Sequence, residues 1–277
     1  MPILSNVNDV DDIEFSKDAE YYLASKIQSG YYRESFQERL RNWQFDSVAV
    51  SESFSSYKTR PGKKQIKLSP KMRTLKQVNW EEVVLRRKST RHFSKGPLSF
   101  TKLSNLILLS CGLKEKGQWL KKPHDAHHWP KRALPSGGGL YPLEYYVLAL
   151  DVKSLSPGLY HFDVLHGSLN LLNDSPEALK MDNDIWLQSQ SIGRPAAMIF
   201  VTSVFDRTRV KYGKRALKLI YLEAGGVAAH MNLTATAMGI GFCIDGGGYE
   251  DKFEKILGVD GYTEGLVSQF VLGNLNR

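Results

Sequence analysis

Three short stretches of this chain carry residue types that could do chemistry. Ala133–Pro142 reads Ala-Leu-Pro-Ser-Gly-Gly-Gly-Leu-Tyr-Pro. Pro135 fixes a backbone torsion, Ser136 offers a hydroxyl, and Gly137, Gly138 and Gly139 leave the backbone without Cβ atoms. Such a surface suits the flat face or the ribityl chain of a bound cofactor. The competing reading is a turn that feeds the apolar run Glu144–Leu150, a candidate buried strand. Arg86-Arg87-Lys88-Ser89-Thr90-Arg91 places four cations and two hydroxyls within six residues, followed by His92 and Phe93. Arginine forks and hydroxyls together can bind phosphate oxygens; the alternative is a solvated basic helix end. Asp245-Gly246-Gly247-Gly248 is a second loop with almost no side chains.

Other chemistries are poorly supported. The two cysteines, Cys111 and Cys243, make no disulfide framework and no metal spacing. His124, His127 and His128 lack an accompanying cysteine or carboxylate pair, so no metal site is expected. Net charge is +8, from 37 basic and 29 acidic residues. The densest basic stretch, Lys58 to Lys76, lacks interleaved aromatics and any recognition-helix pattern, so no nucleic-acid partner is expected. A solvated linker or an acidic peptide partner suits it better. No uncharged apolar run approaches the ~18 residues of a membrane span. The first 20 residues are acidic and lack the apolar core of a signal peptide. These features predict a cytoplasmic protein with no membrane partner.

The elements around these stretches follow from periodicity. Helical spacing of aromatic and apolar residues runs from Phe15 to Phe45, rich in aromatics from Tyr31 onward; it reads as packing on the main core or as a partner surface. Ser47–Pro70 is polar and reads as a linker. Residues 1–79 thus form a helical extension and linker, and 80–277 the main domain. Within it, Trp80–Arg87 and Leu98–Leu113 read as helices, with Ser99 and Gly112 as caps. Gly158–Val164 and Ser168–Leu172 read as a hairpin turning at His166-Gly167. Pro176–Gln190 reads as a helix and Pro195–Phe205 as a strand covered on both faces. Ala216, Ile220, Ala224, Val227, Met231, Ala235 and Met238 make an unbroken helical stripe. Leu217, Leu219 and Leu222 make other faces apolar too, which predicts burial in a core or between subunits. Gly239 stops that helix, Ile240–Ile244 reads as a strand, Glu250–Leu257 as a helix, and Leu266–Leu272 as the last strand.

In their order and spacing these pieces resemble the nitroreductase superfamily. The residues that carry the resemblance are Arg87-Lys88-Ser89-Thr90-Arg91-His92-Phe93, Pro135 to Glu144, Leu222-Glu223-Ala224-Gly225, Gly239-Ile240-Gly241 and Gly246-Gly247. The Pro-Ser-Gly-Gly form, with Lys211-Tyr212 shortly before the long helix, is similar to its SagB-type dehydrogenase branch. Those are FMN-dependent azoline oxidases of ribosomally made, thiazole/oxazole-modified peptides. The resemblance covers about residues 80–273. It implies an α+β three-layer sandwich with a central mixed sheet, a homodimer, and FMN at the subunit interface. Carried over, Arg87, Ser89 and Arg91 hold phosphate and ribityl oxygens with Lys88 beside them. Pro135, Ser136, Gly137 and Gly138 reach the flavin, and Gly246 and Gly247 pass against its ring. Lys211 and Tyr212 match the pair this branch uses as base, either of which could take the proton; by residue type alone they read as a helix entry with a snorkelling lysine. Two features depart from the branch. Gly226 stands where histidine is frequent, and of the C-terminal basic residues only Arg277 could serve the phosphate. The implied partners are an azoline-containing precursor peptide and cyclodehydratase subunits of a synthetase. An NAD(P)H-dependent nitro- or quinone reductase, or a non-catalytic FMN- or peptide-binding subunit, are the alternatives on the same fold.

Overall fold

The computed structural model describes residues 57–68, 78–115, 118–119, 131–175, 180, 185–187 and 191–276, with positions 17, 20–22, 25–26 and 38 before them. His124, His127 and His128, most of the aromatic segment and Arg277 lie outside the described residues.

A central sheet organises everything else. Its strands are β1 (Gln65–Lys67), β2 (Phe93–Ser94), β7 (Leu143–Ala149), β9 (Gly158–Asp163), β10 (Ser168–Asn173), β11 (Ala197–Val204), β12 (Ile240–Asp245) and β13 (Glu264–Leu275). They pair in the order β1-β10-β9-β7-β11-β13-β12, with β2 also on β13. Every pairing in this sheet is antiparallel. The expected mixed sheet is corrected on this point. Successive strands return through a tight hairpin, as β9 to β10, or through a helix that delivers the chain to the opposite end, as β12 to β13. Among the described residues the one parallel pair lies outside it, between β3 (Leu98–Ser99) and β8 (Val152–Lys153). A small sheet of β4 (Leu113–Glu115), β5 (Gln118–Trp119) and β6 (Lys131–Arg132) precedes the glycine-rich stretch.

Both faces of the central sheet are covered, which is why its inner strands read as continuous apolar runs. Tyr145, Val147 and Ala149 of β7 join a core with Leu103, Leu106 and Ile107 of α2 (Phe100–Cys111) and with Ile220, Val227 and Met231 of α4 (Ala216–Ala237). Tyr146, Leu148 and Leu150, alternating with them, face Trp186 and the residues Phe253 and Leu257 of α5 (Glu250–Leu257). This is a helix–sheet–helix arrangement of the α+β class. α1 (Trp80–Arg86) begins at Asn79, whose side chain accepts the Glu81 N–H at 3.0 Å, and α3 (Asp206–Tyr212) leads into α4.

Residues 65–67, and 180 and 185–187, differ from the sequence expectation. Within the presumed linker, Gln65–Lys67 adds an edge strand to β10, and Ile66 packs against the core. Of the helix expected over Pro176–Gln190, only 180 and 185–187 are described, and none of these is helical. Trp186 is instead buried there, donating its indole N–H to Asp245 at 2.6 Å.

α4 buries Ala216, Ile220, Ala224, Val227, Met231 and Ala235 but leaves Tyr221, Leu222, Gly225, Gly226 and Ala229 exposed. Leu222 is 66% exposed, so burial on most sides is not met within one chain.

The basic turn is fixed by close approach to β12 and β13. Thr90 N–H donates to Phe242 O at 2.8 Å. Phe93 lies over two glycines: a Cβ on Gly273 would stand 2.8 Å from its ring, and one on Gly241 3.2 Å. Gly273→Ala must therefore displace Phe93. It is expected to cost about 1–3 kcal/mol in a denaturant titration, the usual penalty of overpacking. A loss below about 0.5 kcal/mol would show that Phe93 is not pinned.

Candidate active site

The glycine-rich stretch forms a single tight turn at the start of β7. Ser136 is extended, Gly137–Gly139 makes a 3-10 turn, and Gly138 has φ +66°. Gly139 N–H donates to Ser136 O at 3.0 Å. The Ser136 hydroxyl accepts the Tyr141 N–H at 2.8 Å, which closes the turn around Tyr141, itself at φ +47°.

Lys211 and Tyr212, the last residues of α3, meet at this turn. A Cβ on Gly138 would lie 2.6 Å from Tyr212 Oη and 3.0 Å from Lys211 Nζ. Glycine is required there twice over, by its positive φ and by the two side chains that occupy the space. The ammonium of Lys211 stands 5.5 Å from the Tyr212 ring centroid. Burial lowers the Lys211 pKa and raises that of Tyr212. Both shifts favour the neutral forms, an amine that can accept a proton beside a phenol that can donate one. Beside this helix junction, Tyr21, Phe205, Arg209, Lys214 and Leu217 line a cavity of about 240 Å³.

Glu223 of α4 supports the turn from the helix side. Its Oε2 accepts the Ser136 hydroxyl at 2.6 Å, and its carboxylate also accepts the Gly137 N–H. Burial pushes its pKa up to about 7, opposed by the Ser136 bond, the Arg132 charge and the Gly137 N–H. Leu222-Glu223-Ala224-Gly225 carries part of the family resemblance, yet sequence reasoning assigned Glu223 no role. The available signal was one acid amid the apolar residues of a long helix.

The basic turn lies elsewhere on the chain. Arg87, Lys88, Ser89 and Arg91 are exposed, and among the described residues none of the three cations forms an ion pair. Ser89 hydrogen-bonds the Cys243 thiol, and Arg91 places its charge near the same sulfur on β12. Arg86, Lys88, Thr90, Thr236, Ile240 and Leu275 line a cavity of about 270 Å³. The end of β12 then leads into Gly246. Asp245 fixes that loop by accepting Trp186 at 2.6 Å, the Gln269 amide at 2.9 Å and the Gly247 N–H at 3.0 Å. Gly247 is buried with its N–H so engaged, whereas Gly246 is exposed with open space where a Cβ would point.

The expected site residues thus form two groups. Pro135 to Gly138 meets Lys211 and Tyr212; Arg87 to Arg91 meets β12, which leads into Gly246. Glu223 and Thr236 mark the two groups along α4. They stand thirteen positions apart, about 20 Å of helix.

Beneath the glycine-rich turn, Glu144 anchors β7 to α3. It is 1% exposed and accepts Arg207 Nη1 at 2.6 Å and His161 Nε2 at 2.9 Å, while Arg207 also donates to Tyr141 O at 3.3 Å. Burial alone would raise the Glu144 pKa. The His161 bond and the charges of Arg207, His161 and Arg132 outweigh burial and hold it at about 2.

Known proteins resemble this chain to different extents. The protein MJ1384 of Methanocaldococcus jannaschii, which carries a nitroreductase name, is 24% identical over 188 residues, 68% of this chain and 88% of that protein. The trifolitoxin-processing protein TfxB of Rhizobium leguminosarum bv. trifolii is 28% identical over 148 residues, 51% of this chain and 39% of TfxB. A chain of the E. coli microcin synthetase McbBCD complex, solved with truncated pro-MccB17 bound, superposes with a TM-score of 0.59 at 18% identity. That likeness, one of fold, spans 97% of this chain and 95% of that one. The sequence pattern of the nitroreductase family matches residues 84–274, which take in the basic turn, the glycine-rich turn, α3, α4 and the Gly246 loop. With the pattern and the architecture in agreement, the chain belongs to the nitroreductase family of oxidoreductases.

Proposed function

We propose that the protein is an FMN-dependent dehydrogenase that oxidises azoline rings to azoles in a ribosomally made peptide. The observation that carries this reading is the convergence of Lys211 and Tyr212 on Gly138, a proton-handling pair set against a backbone with no side chain. The names of two similar proteins, a trifolitoxin-processing protein and a microcin synthetase complex, support a role in peptide maturation.

The donor set suits FMN. Arg87, Lys88 and Arg91 have no acidic partner among the described residues and match a phosphate, Ser89 supplies a hydroxyl, and Gly246 and the Ser136–Gly138 turn offer bare peptide planes. Because the two groups stand apart on one chain, a homodimer joined through the exposed face of α4 would bring the turn of one protomer to the cations of the other. Tyr221 and Leu222, 53% and 66% exposed, are the apolar surface for that contact.

The reaction removes two electrons and two protons from the ring. The group supplies, when bound, the acceptor for the hydride that leaves the carbon next to Cα. Lys211, made less basic by burial, takes the Cα proton as the ring becomes aromatic. Tyr212, kept protonated, donates a hydrogen bond at the same place. The glycine-rich turn lets the substrate ring approach closely.

A nitro- or quinone-reductase reading is favoured by family membership itself. Purified protein is expected to show oxidised-flavin absorption, to bleach slowly with NADPH and rapidly with an azoline peptide. Rapid bleaching by NADPH with no response to the peptide would select the reductase; no flavin at any stage would remove both.

A further inference from the structure

We infer that Glu223 is a positioning residue of this site: its carboxyl clamps the Ser136–Gly137 peptide from the helix side and so fixes Gly138 where Lys211 and Tyr212 meet. The inference rests on the dehydrogenase reading for the identity of the ligand and on geometry alone for the clamp. The contacts form one line. Tyr141 N–H donates to Ser136 Oγ, Ser136 O–H donates to Glu223, and Gly137 N–H donates to the same carboxylate. Glu223 thus holds the Ser136–Gly137 end directly and the Tyr141 end through the Ser136 hydroxyl, in a turn whose middle residue lies against Lys211 and Tyr212.

The clamp makes the site sensitive to pH. Glu223 faces Ser136 and Gly137 from the turn, Arg132 from β6 and Tyr145 from β7, with Lys211 and Tyr212 of α3 across Gly138. On α4 its neighbours one turn away are Leu219, Ile220, Gly226 and Val227, none of them charged. Burial against this mostly uncharged surround raises the Glu223 pKa from 4.5 to about 7. The closed turn therefore binds the proton more tightly than an opened turn whose carboxyl is in water. Linkage then fixes the direction: the closed turn is favoured fully below pH 4.5, and the preference is lost as pH rises toward 7. Acid tightens the turn, while Lys211 works better as a base at higher pH, so the two groups oppose each other.

Amide hydrogen exchange on the full-length protein, from pH 5 to 8, tests this without any ligand. Rates are corrected for intrinsic chemistry and referred to amides of β7 and β11. Protection of Gly137 and Tyr141 is expected to fall at least about tenfold over that range in the wild type, since each pKa unit corresponds to a factor of ten. Glu223→Gln, neutral throughout, is expected to keep the protection and abolish its pH dependence. A merely structural role would leave the pH profile of the two proteins alike, and that result overturns the inference. Should Glu223→Gln fail to fold, Ser136→Ala removes a bond that favours the ionised form and must shift the midpoint upward at Gly137, the amide read in this variant because the Tyr141 N–H loses its acceptor; an unmoved midpoint is equally fatal. FMN titration of the same wild-type sample judges the flavin reading separately, because absence of binding leaves the exchange profile to decide on Glu223 alone.

Discussion

Lys211→Arg is expected to leave the protein yellow and to lower azoline oxidation by at least about 100-fold, the usual contribution of a positioned base. Arginine keeps the charge and much of the length but does not give up its proton. Tyr212→Phe should cost less, because it removes a donor but leaves the amine. The readout is the mass of the peptide, which falls by about 2 Da for each ring oxidised, two hydrogens. In the wild type the rate should climb with pH as Lys211 loses its proton, at a pH below the ordinary 10.5, because burial lowers its pKa. Tyr212, shifted above its ordinary 10.0, stays protonated across that climb. If Lys211→Arg oxidises the peptide at the wild-type rate, the base lies elsewhere and the assignment of this turn as the reacting centre is wrong.

The second large effect concerns Glu144. Replacing it by glutamine leaves Arg207, only 7% exposed, without its counter-charge. Breaking a buried pair in this way costs about 3–5 kcal/mol. For a domain of this size that lowers the melting temperature by roughly 10 °C. The wild type carries the same term in its acid response. A carboxyl held at about 2 rather than 4.5 contributes ~3 kcal/mol above pH 4.5, and the contribution is lost as pH falls toward 2. The Glu144→Gln protein should therefore be less stable at pH 7 and lose less on acidification. A difference under about 1 kcal/mol at pH 7 would mean that the ion pair does not hold β7 to α3.

Much of the positioning framework was legible because it rests on periodicity. The α4 stripe has helical spacing, and its observed bounds, Ala216–Ala237, follow it closely. α5 matches Glu250–Leu257, the residues expected. The segments that misled are those where tertiary pairing overrides local pattern. Gln65-Ile66-Lys67 carries one apolar residue, too few to signal a strand, yet an open edge of β10 recruits it. β13 begins at Glu264, before the apolar run starts, because that acid is buried against the hydroxyls of Tyr146 and Thr202 and the ammonium of Lys58. The glycine-rich turn and Lys211-Tyr212 were visible as residue types. Their convergence was not, since 72 positions separate Gly139 from Lys211 and only the sheet brings them together. Glu223 stayed hidden for a different reason: its meaning lies in two hydrogen bonds to a distant turn.

The long strand β13 sets a timetable for the ribosome. The segment that holds the basic turn in place, Phe93–Ser94, pairs with Asn274 and Leu275 and rests on Gly273. Nearly 180 residues must be synthesised between these partners, and contacts so distant in sequence form late. Until β13 has emerged and docked between β11 and β12, the cationic turn has nothing to lean on. A nascent chain would then present its positive charges without order, so an anion held by this turn would be captured only after β13 has docked.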